Sequence, residues 1–332
     1  MRNLWTIILI AAVVLIVVAG LFFNSRRDKI ILNHAAEKTF KTIKSETENY
    51  CLTGAFIADN PSTEALLKFK NDYGKKPYIV LVFLDWGRFI ESVVIKDVYA
   101  EDCRLMVTWE PWRAETKTAI NYDGLLRGEY DEYIRTFAEQ FKKINKPIFL
   151  RLAHEMNGDW YPWGVSHIGA EKYVETYRYI KDIFDASGAD NVKWVFSINS
   201  VDVPRAAEND FLKCYPGDEY ADFIGIDGYN WANAKPWSKW TTFDEIFKKC
   251  YTKVTANINK PVMITEFSSA QTGGDKTLWI KNAMRDIRKM KHIKALILFN
   301  VDKEAKWNFP AGSREAEELK KQLADPYFRD KN

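Results

Sequence analysis

Two glutamates stand where a reacting pair could be built. Glu155 and Glu266 each lie at or near the end of a short apolar run, PIFLRLAHE (147–155) and PVMITEFS (261–268). A buried carboxylate is costly unless paired or hydrogen-bonded, so acids in such places suggest chemistry, with a structural salt bridge as the simpler alternative. Two carboxyls about 5–5.5 Å apart can cleave a glycosidic bond with retention. One attacks the anomeric carbon; the other protonates the leaving oxygen and then activates water. Comparable run ends carry Asp85-Trp86, Trp109-Glu110, His154 beside Glu155, and Asp227 with Tyr229-Asn230.

The elements that must position these groups are visible as eight runs. They are LTGAFIA (52–58), YIVLVFLDW (78–86), RLMVTWEP (104–111), PIFLRLAHE, VKWVFSIN (192–199), FIGIDGYN (223–230), PVMITEFS and IKALILFN (293–300). Their nearly continuous apolar character fits parallel strands buried on both faces. Helical patterns lie between them: Ile134, Phe137, Phe141 and Ile144 share one face of 128–144, and Tyr173, Tyr177, Ile180 and Phe184 one face of 171–184. Ser62 and Thr242 stand as N-caps before TEALLKF and FDEIFKK. About eight strand–helix units predict an α/β fold, a (β/α)8 TIM barrel with its site at the carboxyl ends of the strands. There, Glu155 after the fourth strand and Glu266 after the seventh would face each other across the mouth. A doubly wound sheet would want a glycine-rich first turn, and the turn after Ala58 reads DNPS.

The stretch RLAHEMNGDWYPWG (151–164) closely resembles the signature of glycoside hydrolase family 26, and PGDEYADFIGIDGYN (216–230) and PVMITEFSS (261–269) look like its companions in order and spacing. The resemblance implies that Glu155 is the acid/base and Glu266 the nucleophile. It further implies that His154 contacts the sugar at the cleavage site, Asn157 fixes the loop, Trp160 lines the leaving-group side, and Tyr229 hydrogen-bonds Glu266. Arg151 points inward from the same strand, toward a catalytic carboxylate or a structural salt bridge. Trp163 is read as a sugar contact or as packing beneath the loop. Asp227 is read as out of step with the alternation that brings Tyr229 inward, and its role stays open.

Two departures bear on the substrate. Mannanases of this family present a histidine after the third strand, where this chain has TWEPW with Trp109 and Glu110; strand eight reads Leu298-Phe299-Asn300 where a tryptophan platform is usual, and Trp307 is the substitute. Both tilt the expectation from β-mannan toward mixed-linkage β-1,3-1,4-glucan, with endo-β-1,4-mannanase as the alternative. A catalytically silent carbohydrate-binding barrel is the reading from another class. Both glutamates, His154 and Tyr229 argue against it. Trp86, at the second run's end, completes the expected sugar-contacting set.

Composition bounds the rest. The 332 residues are 47% hydrophobic and 28% charged, with a net charge of +3. That excludes disorder over the main body and gives no basic stripe for nucleic acid. Aromatics reach 14% with 12 Trp, several in turn-rich segments where flat rings suit sugar faces. The four cysteines show no zinc-like spacing, and His154 and His167 are not set as ligands; buried thiols are favoured over disulfides, and no metal or cofactor is expected. Leu4–Phe23 is uncharged and long enough to span a bilayer as a transmembrane helix. We therefore expect an anchor (1–25), a stalk (26–50) and the barrel (51–328), with cleavage after Ala19 as the runner-up. The barrel is expected outside the cell, a monomer acting on polysaccharide. One role for a tethered hydrolase is trimming a glucan as a synthase exports it.

Overall fold

The computed structural model describes residues 49–331. The expected anchor and nearly all of the expected stalk lie outside the described residues, among which no helix is long and apolar enough to cross a membrane.

From Cys51 onward the chain forms one closed parallel barrel. We number its strands β1 (Cys51–Phe56), β2 (Ile79–Asp85), β3 (Arg104–Glu110), β4 (Ile148–Leu152), β5 (Val192–Asn199), β6 (Phe223–Asn230), β7 (Val262–Ser269) and β8 (Ile293–Phe299). Each pairs in parallel with its sequence neighbour, and β8 returns to β1 through Leu52↔Ala295 to Phe56↔Phe299. The main helices are α1 (Thr63–Tyr73), α2 (Ser92–Ala100), α3 (Asp131–Ile144), α4 (Ala170–Ala186), α5 (Phe243–Asn257), α6 (Lys276–Ile287) and α7 (Arg314–Leu323), with shorter helical turns at Tyr122–Leu126 and Val165–Ile168. Alternation along each strand sends one set of side chains to the barrel axis and the other to this helical layer. Val80, Val82, Leu105, Val107, Leu150, Phe196 and Ile264 join the helix-side core, where Ile134, Phe137, Phe141, Tyr173, Tyr177, Ile180 and Phe184 meet them.

The caps form as the sequence predicts. Ser62 Oγ accepts from the Ala65 N–H, and Thr242 and Glu245 make a reciprocal capping box. One unit departs from the pattern. Between β5 and β6 there is no α-helix, only 3₁₀ turns at Ala207–Asn209 and Phe211–Cys214. The segment 200–222 holds Pro204, Pro216 and Gly217 without a sustained apolar period, so nothing in it can nucleate a long helix against the barrel.

Candidate active site

The upper layer of the barrel interior is divided by chemistry. On the β1, β2 and β8 side three phenyl rings meet: Phe56 lies 5.1 Å from Phe83 and 4.9 Å from Phe299. On the opposite side the interior is polar and fully buried, with Thr108, Arg151, Ser197, Asp227 and Thr265. Arg151 is the hub. Its Nη1 donates to both oxygens of Asp227 at 2.9 Å, its Nη2 to Glu266 Oε1 at 2.5 Å and its Nε to Thr108 Oγ1 at 2.8 Å. Burial works against the guanidinium's charge, but Asp227 and Glu266 outweigh it and hold Arg151 protonated. The same side chain therefore pairs with the fully buried Asp227 and with a candidate catalytic carboxylate.

Asp227 belongs to this network, which corrects the reading that set it out of step with Tyr229. Residues two apart on a strand share a face, and both point inward. Asp227 also accepts from Ser197 Oγ at 3.0 Å and Thr265 Oγ1 at 2.6 Å. Burial pushes its carboxyl up to about 7, opposed by Arg151, Thr265 and Ser197, all of which favour the ionised form. Tyr229 donates its hydroxyl to Glu266 Oε2, the contact expected from the family resemblance.

Glu266 reaches the interior through a bulge. Ile226 pairs with Ile264 but Asp227 pairs with Glu266, so Thr265 is the extra residue in β7. Thr265 and Glu266, adjacent in sequence, both reach the polar interior: one bonds Asp227, the other Arg151 and Tyr229. A bulge re-aims a side chain in this way.

Glu155 is aimed by backbone strain. It has φ +54°, and Ala153, two residues earlier, has φ +46°. Non-glycine residues there cost about 1–3 kcal/mol each and persist only where the surroundings enforce them. Here the Glu155 N–H donates to Ser197 O at 2.9 Å, the Ala153 N–H donates to Trp109 O at 2.9 Å, and Tyr173 OH donates to Ala153 O at 3.1 Å. The carboxylate receives Asn199 Nδ2 on Oε1 at 2.7 Å and Trp160 Nε1 on Oε2 at 2.8 Å. Burial, then the charges of Asp227 and Glu266, raise its pKa well above the usual carboxylate range, against the two N–H donors. Glu155 is thus biased toward its protonated form near a second carboxylate already held by an arginine and a tyrosine.

The neighbours divide into groups that face the mouth and groups that support it. Glu110 ends β3 pointing inward, accepts from Trp112 Nε1 at 3.1 Å, and is pushed by burial up to about 7. It lines a cavity of about 280 Å³ together with Phe83, Asp85, Arg88 and Lys303. The Lys303 ammonium sits 4.9 Å from the centroids of both Phe56 and Phe83. His154 is buried with its Nδ1 unpartnered, and burial, then Arg151 and Lys303, holds it well below its usual pKa and so neutral. Trp160 keeps 43% of its surface exposed, so one edge holds Glu155 while the ring faces solvent. Asn157 fixes the loop, donating to Asn199 O and Asp202 Oδ1, both at 2.9 Å.

Trp86, Trp109 and Trp307, expected to contact sugar, are packing residues instead, and Trp163 takes the packing alternative of its two readings. Trp109 is fully buried and faces the helices, stacked on Trp86 at 4.6 Å and edge-on to Phe137 at 4.6 Å. Since Glu110 faces the axis, its neighbour Trp109 must face away, and Trp86 packs with it. Trp163 is fully buried, donates to His154 O at 2.6 Å and stacks on Tyr161 at 4.2 Å. Trp307 is 1% exposed and backs the Tyr229 ring at 4.7 Å, so it offers no platform to a sugar. Asn199 is the Glu155 partner that sequence reasoning missed; it ends β5 as the other polar groups end their strands.

Comparison with known proteins identifies the family and the fold. The family model described as glycosyl hydrolase family 26 matches residues 109–305. Endoglucanase H of Acetivibrio thermocellus is 40% identical over 262 residues, which are 76% of this chain and 28% of that protein. The chain therefore spans less than a third of that relative's length. A mannan endo-1,4-beta-mannosidase of Bacillus subtilis strain 168 is 25% identical, covering 76% of this chain and 78% of its own. In fold, the catalytic domain of an endo-beta-1,4-mannanase from Bacillus sp. JAMB-750 superposes with a TM-score of 0.64 at 17% identity, covering 86% of this chain and 88% of its own.

Proposed function

This chain belongs to glycosyl hydrolase family 26, and from that premise we propose that it is a retaining endo-β-glycanase in which Glu266 is the nucleophile and Glu155 the acid/base. The carrying observation is the asymmetry of the two carboxyls. Glu266 is held by Arg151 and Tyr229, which orient a carboxylate for attack. Glu155 is driven toward its protonated form by burial and neighbouring negative charge, as a general acid requires. In the first step Glu266 forms a bond to the anomeric carbon while Glu155 gives its proton to the departing glycosidic oxygen. In the second, Glu155, now ionised, takes a proton from water as that water displaces Glu266, and the acid is restored. Trp160, bonded to Glu155, lines the leaving-group side.

For the substrate we propose a gluco-configured chain, mixed-linkage β-1,3-1,4-glucan. Three observations support it: Glu110 stands inward where a mannanase would carry histidine, Phe299 ends β8 where a tryptophan is usual, and the 40% identity is to a protein named as an endoglucanase. β-1,4-Mannan is the second reading, favoured by the mannanase names among the other relatives. Product analysis on barley β-glucan, lichenan, glucomannan, galactomannan and carboxymethylcellulose separates them. Cleavage confined to the first two is expected; strong galactomannan hydrolysis would reverse the assignment.

A further inference from the structure

Beyond the reacting pair, an aromatic path leads from the site to the surface. The Tyr229 ring packs on Trp307, whose ring centroid is 4.7 Å from that of Trp231; Trp231 in turn lies 5.3 Å from Trp237. Trp237 is 72% exposed, more than any other exposed large apolar side chain among the described residues. It stands on the loop 231–241, which follows β6 at the carboxyl end of the barrel.

That loop is built rigidly. The buried Asn230 holds both ends, its Oδ1 accepting from the N–H groups of Ala232 at 3.1 Å and Thr241 at 2.9 Å, while its Nδ2 donates to Ser269 Oγ at 2.9 Å. Ser238 closes the inner turn on Lys235, donating from Oγ to its carbonyl at 3.0 Å and accepting its N–H at 3.1 Å. Trp279 Nε1 donates to Thr241 O at 2.8 Å, and Trp240 packs so closely on Gly274 that a Cβ there would meet it at 2.4 Å. Packing accounts for Trp240 and Trp307 but not for Trp237, whose ring is mostly in water at an unfavourable hydration cost.

We propose that Trp237, with the partly exposed Trp231 beside it, is a sugar-binding platform that stacks on pyranose rings of the same β-linked glycan beyond the reacting residue. An indole face matches the apolar face of an equatorially linked pyranose, and the Lys235 ammonium, 5.8 Å from the Trp231 ring centroid, offers a donor to the hydroxyls at the ring's edge. A pre-ordered loop loses little further entropy when the chain lands. The loop follows directly on β6, the strand that carries Asp227 and Tyr229, which ties the platform to the site end of the barrel rather than to an unrelated partner. The identity of the ligand rests on the hydrolase reading above.

The test uses the full chain carrying Glu155→Gln to suppress turnover, with and without Trp237→Ala, in affinity electrophoresis against barley β-glucan and konjac glucomannan. Trp237→Ala is expected to weaken binding to the hydrolysed polymer about tenfold, equivalent to about 1.4 kcal/mol, and Trp237→Phe to restore part of it. Equal retardation with and without Trp237, or no retardation of either protein by either polymer, overturns the platform. Hydrolysis by the native chain is measured separately. Turnover with no Trp237 effect sinks the platform alone, whereas Trp237-dependent binding without turnover sinks the hydrolase reading alone.

Discussion

At Glu155 two opposing influences set the protonation of the proposed acid/base. Burial and the charges of Asp227 and Glu266 push its pKa up, while the N–H groups of Asn199 and Trp160 pull it down by bonding the ionised form. An acid works protonated, so activity falls as pH rises through this pKa. Trp160→Phe removes one of the downward influences and keeps most of the ring. The alkaline limb of kcat/KM should therefore move to higher pH; a limb that stays in place or moves lower would contradict the assignment. Much of this site was legible in the sequence: the strand-end acids and the inward arginine from residue type and place, and the roles around them from the family resemblance. The roles of Trp86 and Trp109 were not, because standing at the end of a strand does not tell a side chain which way to face. Alternation settles it once Glu110 is placed on the axis, and it equally places Asp227 beside Tyr229.

At the level of strands and helices, the two acids depend on irregularities that apolar periodicity cannot announce. The extra residue in β7 and the left-handed backbone at Ala153 and Glu155 arise from three-dimensional contacts, not from a local residue preference. The missing helix between β5 and β6 was likewise hidden by the expectation of a regular repeat. The elements should separate support for chemistry from support for stability. Gly225 lies in the interior layer, where a Cβ would come 2.6 Å from both Ser197 Oγ and Thr265 Oγ1, the hydroxyls that bond Asp227. Gly225→Ala should destabilise by about 1–3 kcal/mol and lower kcat as well. Thr242→Ala breaks only the α5 capping box, at a cost of about 0.5–2 kcal/mol, and should leave kcat unchanged. Thermal denaturation beside initial-rate kinetics checks both; a Gly225→Ala protein of native stability and turnover would refute the role given to this layer.

Across the whole molecule, the barrel separates an aromatic half from a polar half, and the chain needs no cross-links to hold that division. Cys51, Cys103, Cys214 and Cys250 are all buried and free, and burial raises the pKa of each thiol. They should react with a thiol reagent only after denaturation, and reductant should not change the melting temperature; loss of stability on reduction would show a disulfide. The division has a functional meaning, because it leaves one arginine as the charge that both Asp227 and Glu266 share, while Glu155 has only N–H donors. Glu266 is therefore the one residue proposed to bond covalently to the sugar. The direct measurement is mass spectrometry of a Glu155→Ala protein incubated with an activated aryl β-glycoside of the preferred sugar, whose leaving group needs no acid. A glycosyl adduct on the peptide containing Glu266 is predicted; an adduct elsewhere, or none together with a first product of inverted anomeric configuration, would contradict it.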